Sequence, residues 1–244
     1  TLHAWVGLAM SFVVVGAAGL LAVAVMVINY RRLNQHVRRD GSREPTANDG
    51  IALLKSKPVV LCFVFQIAHS MAAGGIRSFG IVALAGIYGF AADDPSYALL
   101  GMGLTAYLVS GSFGNLLSGA LIDRTGQSQL IFTVSILCIF AIVLAIGWWS
   151  FPIALVIVLL TIAGTLQGSL LPARDVLIRA ISPPGQIGKV FGFTSSGLSL
   201  GNAVTPPLFG WVIDNGDPAW VFYTSALFIL FALATFTETS RQAR

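Results

Sequence analysis

Gly119-Ala120-Leu121-Ile122-Asp123-Arg124-Thr125-Gly126-Gln127 interrupts a chain that is otherwise mostly apolar. One apolar run ends at Ile122, an adjacent acid and base follow, Gly126 permits a tight turn, and a second apolar run opens at Leu130. In lipid every backbone N–H and C=O must find a partner inside the chain, so a short charged interruption marks where one spanning helix surfaces and the next begins. Read alone, the stretch is a polar hairpin loop. Read with its flanks, it divides a series of spans.

Composition agrees. The 244 residues are 56% hydrophobic and 10% charged, with a mean hydropathy of +0.83. A soluble domain carries about 25% charged residues, so the expected class is an all-α, polytopic membrane protein lodged in the lipid bilayer. Twenty-six glycines suit helices packed closely in lipid. The net charge of +4 lies in loops between spans and forms no basic stripe interleaved with aromatics, so nucleic acid is not an expected partner. Cys62 and Cys138 both sit inside apolar runs and read as small buried hydrophobes.

A spanning helix needs about 20 apolar residues. Seven such runs follow one another: Trp5 to Asn29, Pro58 to about Phe90, Ser96 to Ile122, Leu130 to Trp149, Ile153 to about Pro172, Val190 to Ile213, and Trp220 to about Thr237. The Gly74-Gly75 pair is a candidate kink, and Trp148 and Trp149 fit an aromatic belt at the interface. The domain reading is a first spanning helix over 1–30, a basic connector over 31–57, a six-span bundle over 58–237 and a tail over 238–244. A signal peptide fits the first run poorly, because it lacks a basic leader and a small-residue cleavage site. All lysines and arginines except Arg77 fall in the connector, at Arg124, in Arg174 to Lys189 and in the tail, whereas the alternate loops hold only Asp93, Asp94, Asp214 and Asp217. Positive charge marks the cytoplasmic side, which places the connector and the C-terminus there.

The pattern Gly119-x3-Asp123-Arg124-x-Gly126 resembles the cytoplasmic loop motif of the major facilitator superfamily of secondary transporters, although Gln127 and Ser128 stand where the family usually has basic residues. Pro172-Ala173-Arg174-Asp175, Gly188-x3-Gly192, Gly197-x3-Gly201 and Pro206-Pro207-x2-Gly210 are similar to the helix 10–11 region of bacterial drug and organic-anion efflux members, loosely of the fosmidomycin-resistance type. The resemblance implies the C-terminal half of a twelve-span transporter. The first run would be helix 6, followed by six helices as two inverted three-helix repeats. The expected partner is an N-terminal half of the same transporter, and the expected location is the bacterial inner (plasma) membrane. Asp123 and Arg124 take a gating role by this resemblance. Arg174, Asp175 and Arg179 form a second cytoplasmic charge network, and Gly197, Gly201, Pro206 and Gly210 permit close helix crossing and bending.

No Gly-x4-Gly-Lys-[Ser/Thr] phosphate loop, metal-spaced His/Cys cluster or nucleophile–base pair occurs, so no enzyme activity, cofactor or metal is expected. The informative residues are polar ones inside spans, because these are costly in lipid and turn toward a bundle interior. Gln66, His69, Ser70 and Arg77 share one face of the second run, within an arc of about 100°. Gln167 and Asn115 are further cavity candidates, and Ser195, Ser199 and Asn202 share another face. Each can equally serve helix packing, and Arg77 can snorkel toward the outer interface. No acid lies deep in a span, so the carboxylate expected of a proton-coupled efflux carrier lies in the absent half, or His69 serves instead, or the carrier is not proton-driven. Against a carrier of a small organic solute stands a non-transporting membrane scaffold or truncated paralogue.

Overall fold

The computed structural model describes residues 8–28, 56–91 and 93–242. The chain forms two units, residues 1–44 and 45–244. In the first, α1 (Leu8–Ile28) is an uncharged helix of 21 residues, about 31 Å long at 1.5 Å per residue and so matched to a bilayer core. The basic connector, up to Lys55, and the terminal Arg244 lie outside the described residues.

The second unit holds six helices: α2 (Lys57–Tyr88), α3 (Pro95–Thr125), α4 (Ser128–Trp148), α5 (Ile153–Ile181), α6 (Ile187–Asn215) and α7 (Trp220–Gln242). Among the described helices, α2, α4, α5 and α7 are long and apolar enough to cross a membrane by length and composition. The less apolar α3 and α6 carry more Gly, Ser, Asn and Thr, and both flank the cleft described below. Two ends differ most from the sequence expectation. α5 continues through Pro172 to Ile181, and α7 continues to Gln242. A proline removes one backbone donor, and helix-breaking residues are tolerated in a packed spanning bundle; α6 likewise runs through Pro206 and Pro207.

Local signals set the helix ends. Pro95 occupies the first turn of α3, and the Asp94 carboxylate accepts from Ser96 N–H at 2.7 Å, satisfying a donor that a helix start leaves open. At the other end Gly126 adopts φ 67° and donates its N–H to Ile122 C=O, a left-handed cap that favours glycine.

The packing pattern is two-fold. α2 packs on α6 and α7, while α5 packs on α3 and α4, and α4 meets α7. Exchanging the triplet α2–α4 with α5–α7 leaves that set of pairings unchanged, as two three-helix repeats require. An odd number of spans per repeat inverts the second relative to the first. Between α2, α4 and α7 the core is aromatic: Phe65 lies 5.6 Å from Phe132 and 5.5 Å from Phe236 by ring centroids. Trp148 and Trp149 are exposed. Beside them, Tyr88 O–H donates to Phe151 C=O and Tyr223 O–H donates to Gly147 C=O at 2.8 Å, tying the ends of α2 and α7 to the α4–α5 turn.

Candidate functional site

Small residues bring the helices together around the site. A Cβ placed on Gly164 would strike the Tyr107 carbonyl of α3, one on Gly168 the Gly111 carbonyl, and one on Gly114 the Thr165 carbonyl of α5. Ser110 Oγ donates to Thr161 C=O at 2.8 Å across the same contact. The symmetry-related α2–α6 contact uses the same device. A Cβ on Gly197 would lie 2.7 Å from the Phe63 carbonyl oxygen, and one on Gly201 would meet Ser70 Oγ. The Gly74-Gly75 pair meets Thr205 and Phe209 of α6 and Ser225 of α7; its place in the fold is close packing within a continuous α2.

Between these two contacts lies a cleft of about 330 Å³. α2 contributes His69, Ser70, Ala73 and Arg77; α3 contributes Tyr107, Ser112 and Asn115; α5 contributes Gln167 and Arg174; and α6 contributes Leu198 and Asn202. A small-molecule site of such size is at the low end for ligand pockets. In the middle, Gln167 Nε2 and His69 Nε2 lie 3.1 Å apart, linking the two repeats. With the amide nitrogen so placed it donates to the ring nitrogen, and a neutral imidazole then carries its proton on Nδ1. His69 is buried, Gln167 half-buried and Asn115 exposed.

The two cations occupy related places. Arg77 lies eight residues beyond His69 on α2, about 12 Å along the helix, and Arg174 lies seven beyond Gln167 on α5, about 10 Å along it. Because the repeats are inverted, the two residues sit toward opposite ends of the cleft. Arg77 is exposed, and its Nε donates to Ala73 C=O at 3.2 Å. That bond turns the guanidinium back along α2, away from the nearer helix end, which is the direction opposite to snorkelling. Arg174 is held differently: its Nε and Nη2 donate to Asp175 Oδ1 at 2.9 and 2.8 Å.

The structure therefore brings His69, Ser70, Arg77, Asn115 and Gln167 to one cleft. Gln66 is not part of it. Its side chain is 1% exposed, its Cβ lies 3.3 Å from where a Cβ on Gly197 would stand, and its Oε1 finds no partner among the described residues, because α6 closes against α2 one turn below His69. Arg179 is exposed and makes no ion pair with a described residue; of the three residues expected to form a charge network, Arg174 and Asp175 pair. Gly197 and Gly201 lie at the α2–α6 crossing, but Pro206 is exposed and no atom of the described residues lies within 4 Å of a Cβ on Gly210. Neither contributes to close crossing in this bundle. Asp123 and Arg124 are exposed in the last turn of α3. Gly119 faces Pro172 only at 4.0 Å, and Gly126 caps the helix. Arg174, Ser112 and Tyr107 were not anticipated as cleft residues. Among the described residues no cluster of His, Cys, Asp and Glu has metal-binding geometry.

Comparison with known proteins bears on this architecture. Residues 70–244 match the family model of the Major Facilitator Superfamily. The chain is 28% identical over 163 residues to the hexuronate transporter of Bacillus subtilis, an alignment covering 65% of this chain and 36% of that protein. Its fold resembles the inward-open xylose transporter XylE from E. coli, with a TM-score of 0.59 and 14% identity over 75% of this chain and 46% of that one. The chain thus spans about a third of the first protein and under half of the second.

Proposed function

The chain belongs to the Major Facilitator Superfamily, and from that membership we propose that its six-helix bundle forms one wall of a secondary active transporter that moves a small organic solute by alternating access. The observation that carries this reading is the cleft into which four helices from both inverted repeats turn His69, Arg77, Asn115, Gln167 and Asn202. Polar groups inside spanning helices are expensive and mark substrate or ion pathways. An open cleft between repeats is where such carriers hold their cargo. A second bundle of the same transporter supplies the facing wall, and rocking of the two bundles exposes the site to each side in turn. Asp123 and Arg124, at the cytoplasmic end of α3, act as the gate between the conformations. The bacterial inner membrane, a cytoplasmic C-terminus and proton-coupled efflux complete the proposal. Among the described residues the cleft lining includes no acid, so the coupling carboxylate of this proposal lies outside it.

The similarity to a hexuronate transporter favours a sugar-sized solute. Counterflow in proteoliposomes tests the carrier reading without presuming a coupling ion. Vesicles preloaded with D-galacturonate and D-galactose, then given trace labelled solute outside, show a transient overshoot if the protein is a carrier. Uptake equal to protein-free vesicles supports the scaffold reading.

A further inference from the structure

We propose that the cleft selects solutes bearing a single carboxylate on a hydroxylated body, with Arg77 as the carboxylate anchor and Asp175 as the residue that limits the charge to one. This deepens the transport reading and rests on it. The inverted repeats place one arginine toward each end of the cleft, and the two differ in their neighbours. Arg77 is followed by Ser78, and among the described residues its guanidinium makes one hydrogen bond, from Nε to the Ala73 carbonyl. Its two terminal nitrogens are left for a ligand, and among the described residues no carboxylate pairs with it. Arg174 is followed by Asp175, which takes both Nε and Nη2. The lining therefore holds one cation that is compensated and one that is not.

A guanidinium exposed in a membrane cleft is satisfied best by a planar carboxylate that accepts two parallel N–H bonds. A second anionic group on the same solute would have to displace Asp175 from Arg174. Between the ends, Ser112, Asn115, Gln167 and Asn202 offer neutral donors and acceptors, which suit hydroxyls and give a third charge nothing to meet. The volume of about 330 Å³ admits a sugar-sized body.

The test uses membrane vesicles from cells producing the protein and three probes of similar size: D-galactose, D-galacturonate and the dicarboxylate galactarate. The expected result is carriage of galacturonate at least tenfold above the other two. Arg77→Gln should lower galacturonate carriage at least tenfold, and Arg77→Lys, which keeps charge but not the fork, should lower it less. Asp175→Asn should raise galactarate carriage at least fivefold while galacturonate is still carried. Immunodetection of each variant in the membrane separates loss of function from loss of protein. Galactose carried as well as galacturonate would leave the carrier reading standing and overturn the anion assignment. So would full activity of Arg77→Gln, or an Asp175→Asn variant with no gain for galactarate. If no probe moves, the assignment falls, and access to the cleft from the two sides of the membrane decides separately whether the carrier reading falls with it.

Discussion

His69 and Gln167 are the only side chains recorded as hydrogen-bonding α2 to α5 among the described residues, so they set the distance between the repeats at the middle of the cleft. Replacing His69 by Leu leaves the Gln167 amide without its partner. The cost should be about 1–3 kcal/mol, seen as a lower unfolding temperature in detergent, whereas His69→Gln should recover most of it. The same conservative variant addresses coupling. If the titrating carboxylate lies outside the cleft, His69→Gln keeps the pH dependence of transport; a flattened profile would assign coupling to His69. Individual residues show how far the sequence could be read. Helical phase grouped Gln66 with His69, Ser70 and Arg77, and three of the four reach the cleft. Phase says which way a side chain points but not where a neighbouring helix closes in, and Gly197 closes in at Gln66. Arg174, expected in a charge network rather than in the cleft, lines it for a related reason. Ending the fifth span at Pro172 left it in a loop, whereas the continuing helix carries it along the cleft wall.

At the level of helices, the α3–α5 and α2–α6 contacts depend on glycines that let one backbone lie on another. Gly168→Ala would press a methyl into the Gly111 carbonyl and to 2.9 Å from Asn115 N. Overpacking of this kind costs about 1–3 kcal/mol and should also distort the cleft, which Asn115 lines. Gly210→Ala, with open space around it, should leave thermal stability in detergent unchanged. A Gly210→Ala variant as damaged as Gly168→Ala would remove the argument that close approach explains these glycines. The spans themselves were legible because bilayer thickness sets helix length and because charged turns such as Asp123-Arg124 have nowhere else to go. Which glycines pack was not legible: Gly197, Gly201 and Gly210 look alike in sequence, and only the helix rotation separates them.

For the molecule as a whole, the two-fold pattern of helix pairings is what the proposed carrier wall rests on, since it places equivalent faces of α2 and α5 side by side with α3 and α6 beside them. The proposed orientation rests on charge: Lys57, Arg124, Arg174, Lys189 and Arg241 fall at one set of helix ends, and Asp93, Asp94, Asp214 and Asp217 at the other. An alkaline phosphatase fused after the C-terminus should therefore be inactive and a fluorescent protein there bright, as cytoplasmic placement requires; the reverse would invert the gate assignment of Asp123. The central claim is that one cleft serves both sides of the membrane. In a chain carrying Cys62→Ala and Cys138→Ala, Asn202→Cys should react with a membrane-impermeant maleimide in both right-side-out and inside-out vesicles. D-Galacturonate should slow the reaction from either side. Reaction from one side only, however long the exposure, would contradict alternating access and leave the bundle as a scaffold.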